Sequence, residues 1–267
     1  MRLVLLGDTR KIKLHDFDSI TDFNNFLIEN KTNEFFRRER LASKSTNRNI
    51  WRGTNSYEEA QELFSKGWNA AAERISKHVP VQTAQHTANR TKPTYGVVGG
   101  QASVPRYLQG IPTNMIDRKI VSVKQKIIVI NRDISFHAGF EPEVIEESGI
   151  KALQIAQNLE NRGYRVKLNL LWSVYAGGET LSLRLCLKKP DERMSVAKMA
   201  FALAHPSMLR RVCFRWLEVN PDMTNGMFCT GYGMPDTEAL VSQLPKNEYY
   251  LKNYIDSVDG WLRDNNL

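Results

Sequence analysis

Asp133-Ile134-Ser135-Phe136-His137 brings a carboxylate, a hydroxyl and an imidazole within five residues. Two kinds of chemistry follow from those types. Asp133 and Ser135 suit a hard divalent cation such as Mg²⁺, which takes six oxygen ligands, while an imidazole favours a transition metal. Alternatively His137 could act as a general base with Asp133 orienting it, the set a metal-dependent nuclease or hydrolase would use. The same Asp and Ser could equally cap their own loop by accepting from backbone N–H groups. No Gly-x-Ser-x-Gly elbow is present to add a nucleophile.

The other candidates are cationic. Lys31, Arg37, Arg38, Arg40, Lys44, Arg48 and Arg52 cluster between residues 31 and 52, interleaved with Phe35, Phe36, Ile50 and Trp51. Basic side chains displace counterions from phosphate and aromatic rings stack on unpaired bases, so Arg37, Arg38, Arg40, Lys44, Arg48 and Arg52 are the nucleic-acid candidates. A loop that packs its aromatics inward and solvates its charges would read the same way. Arg210, Arg211 and Arg215 could clamp an anionic partner, or simply complement a helix end. His205, before Pro206, reads as an orienting hydrogen-bond donor. His15, His78 and His86 have no carboxylate or Cys at ligand spacing and read as surface residues.

Among the elements that hold these residues, Lys126–Ile130 is an apolar strand. It enters the Asp133 loop, and a helix from Pro142 to Arg162 follows, with acidic residues in its first turns and Gly163 as its stop. Strand, loop and helix in that order make the basic unit of an open α/β sheet, whose ligands gather at the strands' carboxyl ends. Tyr164–Val174 reads as the next strand, Ala176-Gly177-Gly178-Glu179 as a hairpin turn, and Thr180–Lys188 as an antiparallel edge strand. Ser195 caps a helix that His205-Pro206 breaks. A helical turn at Met208–Arg211, a strand-like run at Val212–Val219 and an amphipathic helix spanning Tyr250 to Leu262 complete this half.

The N-terminal half is less regular. Leu3–Leu6 and Lys11–Leu14 form a strand pair, and a helix capped by Ser19 or Thr21 follows. Ser56-Tyr57-Glu58-Glu59 is a capping box opening a helix that runs to Pro80, in which Gly67 signals close packing. Residues 82–94 read as a flexible connector. An extended arm follows, carrying Val104, Tyr107, Leu108 and Met115, and is expected to clasp an adjoining surface. The expected organisation is a basic, mostly helical region at 1–94, the arm at 95–125 and an α/β domain at 126–267.

Bulk properties narrow the classes. The net charge is +8, and all of the excess lies before residue 126, which points to an anionic partner. No apolar run approaches a membrane span, and the first residues read as a strand, not a signal peptide. The three cysteines, Cys186, Cys213 and Cys229, include no Cys-x-x-Cys pair, which argues against a disulfide scaffold or zinc ribbon and for a cytoplasmic compartment.

The strand, Asp-x-Ser loop, helix, strand, antiparallel strand order resembles a von Willebrand factor A-type domain. That resemblance implies a doubly wound mixed sheet, Rossmann-like, with one antiparallel edge strand. It also implies a divalent cation on an Asp-x-Ser-x-Ser motif, matched here by Asp133 and Ser135 with His137 in the third place. The family's later threonine and aspartate would fall on Thr180 and Asp222 by chain order. A second resemblance rests on the blocks SVPRYLQGIPTNM (103–115), LENRGYRV (159–166) and FALAHPSMLRR (201–211). It is to an uncharacterised family encoded mainly by tailed bacteriophages, and implies a host bacterial cytoplasm or a virion. The combined expectation is a phage-encoded, non-enzymatic adaptor with a protein partner. The alternatives are the metal-dependent enzyme and a structural virion or assembly component.

Overall fold

The computed structural model describes residues 2–6, 10–34, 36, 41–78, 89–122, 125–176, 179–222, 232, 234–241 and 244–267. Strands β1 (Arg2–Leu6) and β2 (Arg10–Phe17) open the chain. Helix α1 (Ile20–Glu29) follows, capped as expected by Ser19, whose Oγ accepts from Asp22 N at 3.1 Å. After the short α2 (Asn49–Arg52), α3 (Tyr57–Lys66) starts on Ser56, which accepts from Glu59 N at 3.0 Å. The expected single helix to Pro80 is two. Gly67 ends α3 with φ +99°, and α4 (Asn69–His78) starts afresh. A Cβ at Gly67 would sit 2.8 Å from Ala197 Cβ, so the glycine permits the close packing its position suggests.

The next stretch forms β3 (Asn89–Gly96), β4 (Gln101–Ala102), α5 (Val104–Leu108) and β5 (Met115–Ser122). Residues 89–94, read as connector, are therefore strand. β3, β5 and β4 pair antiparallel as a small sheet of their own. None of residues 93–118 is fully buried. Val104, Tyr107 and Leu108 do not clasp this chain; they are 63%, 68% and 78% exposed.

The remainder is β6 (Ile127–Asp133), α6 (Pro142–Asn161), β7 (Arg165–Ala176), β8 (Glu179–Lys188) and α7 (Val196–Ala204). A π-helical turn (Met208–Cys213) runs into α8 (Phe214–Val219). β9 (Met234–Pro235), α9 (Glu238–Val241), β10 (Glu248–Leu251) and α10 (Val258–Asp264) close the chain. The strand-like run 212–219 is thus helical. It is apolar around almost its whole circumference, and burial on all sides erases the period that separates helix from strand. Tyr250 lies in a strand, not a helix, because β10 has only four residues and no pattern long enough to read.

The main sheet is mixed, in the order β1-β2-β8-β7-β6-β10, with β9 paired to β7. β2 with β8, β6 with β7, and β10 with β6 are parallel; β1 with β2, β7 with β8, and β7 with β9 are antiparallel. A mixed α/β sheet with flanking helices is in line with a Rossmann-like architecture. Two details differ from expectation. β8 is antiparallel to β7, but it is not an edge, because β2 pairs along its other side. And the core takes alternate residues of each strand: Ile128 and Ile130, Val166 to Trp172, Leu181 to Leu187. Residues of α1, α3, α4, α6, α7, α8 and α10 join that one cluster, so these helices share one layer. Among the described residues, the opposite strand positions carry a small cluster of Leu14 and Leu171, with Leu244 and Tyr250 against it, and the buried Ile12 and Cys186. Among the described residues, double winding is therefore limited to the short α9. The N-terminal strands, meanwhile, belong to the same sheet as the 126–267 region.

Candidate functional site

The Asp133 loop leaves the carboxyl end of β6, where an open sheet offers ligands a crevice. β6 carries polar side chains there because its last residues face polar partners. Asn131 donates to Glu248 Oε2 at 2.8 Å and accepts from Asn169 Nδ2 at 2.9 Å. Arg132, fully buried, points to the helical face. There it donates to Ser148 Oγ and Asn253 O, each at 2.9 Å, and to Lys252 O. Burial lowers its pKa to about 10, with the Asp133 carboxylate acting in the opposite direction.

Asp133 is 2% exposed and accepts three hydrogen bonds. Its Oδ1 takes Ser135 N at 2.7 Å; its Oδ2 takes the hydroxyls of Thr237 and Tyr250, both at 2.9 Å. Burial, and then this carboxylate, push the Tyr250 phenol well above its ordinary range. Asn253 closes the loop from the other side by donating to Ser135 O at 2.8 Å. The loop is thus tied to β10 and the segment before α9, and Asp133 does the capping work that its backbone and hydroxyl neighbours require.

This geometry tests both chemical readings. Thr180 donates instead to Asp236 Oδ2 at 2.9 Å, and Asp222 bonds His15 Nε2 at 2.8 Å, so neither joins Asp133; Thr237 supplies the later hydroxyl. A Mg²⁺ ion demands near-octahedral oxygens, and three of the roughly four lone-pair sites on Asp133 are already taken by donors. Among the described residues, no group of three or more His, Cys, Asp or Glu could hold a metal. His137 does not bond Asp133 either. It is exposed, its Nδ1 accepts from Gly139 N at 3.0 Å, and its ring meets Phe140 edge-on.

Two cavities flank the loop, and His137 lines both. One, about 610 Å³, is bounded by Asp133, Ser135, Thr237, Tyr250 and Lys252 among others. The second, about 450 Å³, lies against α2 and the π-helical turn, with Trp51, Arg52, Trp172, Arg210, Phe214 and Tyr232 in its wall. The Arg210 guanidinium lies 4.0 Å over the Trp51 ring and donates to the carbonyls of Trp51 and Phe140. Burial lowers its pKa to about 10.

A family model described as "Domain of unknown function (DUF7192)" matches residues 6–263. The chain belongs to that family. No curated protein and no solved structure matches it. The match runs from β1 to α10, so the arm and both cavities fall within one family unit.

The remaining candidates are placed as follows. Arg37, Arg38 and Arg40 lie outside the described residues, as do His86 and Cys229. Lys44 and Arg48 are exposed; Arg52 is buried and donates to Ala42 O at 3.2 Å. Arg211 is neither a solvated helix end nor a free clamp. It is fully buried and donates to the carbonyls of Ser43, Ser45 and Thr54 and to Asn49 Oδ1. Arg215 donates to Thr32 Oγ1 and stands 3.6 Å from Glu218. His205 accepts rather than donates, taking Ser207 N at 3.1 Å on Nδ1. His15 is 8% exposed and paired with Asp222, not a surface residue; its partner is 207 positions away and gives no local signal. Glu218, which no local sequence pattern marks, is fully buried and accepts from Ser43 N and Oγ and from Tyr232. Among the described residues, no helix is long and apolar enough to cross a membrane.

Proposed function

We propose that the chain is a phage-encoded, non-enzymatic adaptor that docks a protein partner through its β-sheet arm. The observation that carries this reading is the arm itself. Its described strands pair only with one another, none of residues 93–118 is fully buried, and Val97, Val98, Val104, Tyr107 and Leu108 are each more than 60% exposed. A three-stranded unit is stable when a face is covered, and soluble chains rarely leave apolar side chains gathered in the open without a use for them. Arg106 stiffens the tip, lying 4.0 Å over the Tyr95 ring and donating to Thr113 O. The viral origin rests on the three sequence blocks described above. The A-type resemblance makes the Asp133–Gly139 loop a second contact, and the exposed Lys44 and Arg48 supply the nucleic-acid association.

The test is capture from infected cells. Wild-type protein should retain a discrete partner that the double variant Val98→Lys, Leu108→Asp loses, with the variant's circular dichroism and Tm unchanged. Equal capture by both would sink the arm as the docking element. The non-enzymatic part is tested separately with Asp133→Ala. Stranding one buried and two part-buried donors should lower stability by about 2–4 kcal/mol in urea denaturation, at about 1–3 kcal/mol per unsatisfied group with partial relaxation. A nuclease or hydrolase turnover abolished by that change in protein that stays folded would overturn it.

A further inference from the structure

We propose that the cavity between α2, the Asp133 loop and the π-helical turn binds one nucleotide unit, its phosphate on Arg48 and Arg52 and its base against the aromatic wall. The inference deepens the nucleic-acid association above and is independent of the arm.

Size comes first. At about 450 Å³ the cavity falls in the range of small-ligand sites, roughly 300–1,000 Å³. Charge comes second. Arg48, Arg52 and Arg210 all line it, and no carboxylate does among the described residues. Arg210 has its donors on the carbonyls of Trp51 and Phe140, so it supplies field rather than a free hand. Arg52 is different. It is 7% exposed, and its Nη1 is buried without a hydrogen-bond partner. Burial disfavours its charge; Tyr232 offsets this in part, Arg48 adds to it, and Arg52 in turn opposes the charge of Arg210. Glu141 offsets Arg210 from outside the cavity wall. A buried, under-bonded guanidinium among like charges is costly unless an anion completes it.

The third observation selects the rest of the ligand. Phe214 and Tyr232 stack at 4.4 Å with 21° between their planes, and Trp172 lies 6.2 Å from Phe214. These two faces are taken by each other, so the wall offers a base only its remaining aromatic surface; inorganic phosphate would leave that surface uncovered, and an apolar ligand would leave Arg52 Nη1 unpaired. A planar ring carrying an anionic group meets both demands, and a nucleotide is that combination. The position agrees, since His137 and Trp172 bring the carboxyl ends of β6 and β7 to the cavity.

A free nucleotide and an unpaired nucleotide of a single strand offer the same chemistry, and calorimetry with the full chain separates them. AMP, adenosine, inorganic phosphate and a short oligothymidylate are titrated, with tryptophan fluorescence as a second readout. Saturation by AMP identifies a free-nucleotide site. Saturation by the oligonucleotide alone identifies a strand site. In either case Arg48→Ala, at an exposed position, and Arg52→Gln should each weaken binding by about ten-fold or more, the scale of one charge-assisted hydrogen bond. Arg118→Ala on the arm should change nothing. The proposal is overturned if no nucleotide saturates, if phosphate alone binds as tightly as AMP, or if Arg48→Ala leaves affinity unchanged. Equal capture by wild type and the arm variant, with nucleotide binding intact, would refute only the arm as the docking element.

Discussion

At the scale of single residues, the side chains with the strongest chemical promise turn out to be those most occupied by the fold. Asp133 was legible as a loop cap, because an Asp two residues before a backbone N–H is a local device. Its other two partners were not legible. Thr237 and Tyr250 lie more than 100 positions away, and nothing near Asp133 encodes them. His205 makes the same point with a measurable consequence. It stacks on Phe201 with ring centroids 5.0 Å apart, meets Trp68 edge-on, and is held neutral by burial with a pKa of about 4 against an ordinary 6.5. The folded pKa lies below the unfolded one, so the unfolded chain binds the extra proton. The contribution is full above pH 6.5 and is lost as pH falls towards 4. Between pH 7 and pH 5 this single group should cost about 2 kcal/mol. Urea midpoints of wild type and His205→Gln at the two pH values check it. The wild-type chain should lose that much more than the variant, and equal losses would contradict a buried neutral imidazole.

At the scale of elements, the parts read correctly are those whose signals are local. Ser19 and Ser56 mark helix starts by hydrogen bonds that span three residues. The break at His205-Pro206 and the β7–β8 pairing follow from equally short patterns. Runs without a period failed, and the π-helical turn shows why. Inserting a wider turn brings the adjacent Arg210 and Arg211 inward together, which an ordinary helix spacing of about 100° per residue does not favour. One close approach fixes how the helical layer packs. A Cβ on Gly149 of α6 would fall 2.3 Å from Ala204 Cα and 2.3 Å from Leu203 O, so α6 and α7 touch backbone to backbone. Gly149→Ala must push those helices apart. The expected loss is at least the 1–3 kcal/mol or so of an overpacked core, despite the better helix propensity of alanine. Thermal unfolding measures it, and an unchanged or raised Tm would show that the two helices do not meet so closely.

At the scale of the whole molecule, composition does not show how the two halves join. The basic first half suggested a region apart, yet β2 lies inside the main sheet and pairs β8 along seven residues. Pairing between distant strands leaves no trace in composition or period. Among the described residues, the arm's strands form a sheet apart from the main one, in a stretch whose glycines and prolines interrupt every longer pattern. Removing residues 1–17 should therefore do more than trim a terminus. It would bare the β8 edge, with Leu181, Leu183 and Leu185 beside it, and unpaired edges of that kind recruit other chains. Light scattering after size exclusion should show soluble aggregates, whereas a monodisperse, folded truncation would mean that the sheet does not need its N-terminal strands.

The placement of β2 also sets a timetable for synthesis. Asp16 and Arg184 form an ion pair across the two strands, 168 residues apart. At about 5–20 residues per second, a ribosome needs on the order of ten to thirty seconds to deliver the second after the first. Throughout that interval the opening hairpin has no sheet to join, and a slow-closing, high-contact-order topology awaits it. The newborn chain thus passes through a prolonged stage in which β2 lacks the strand it pairs with in the finished sheet.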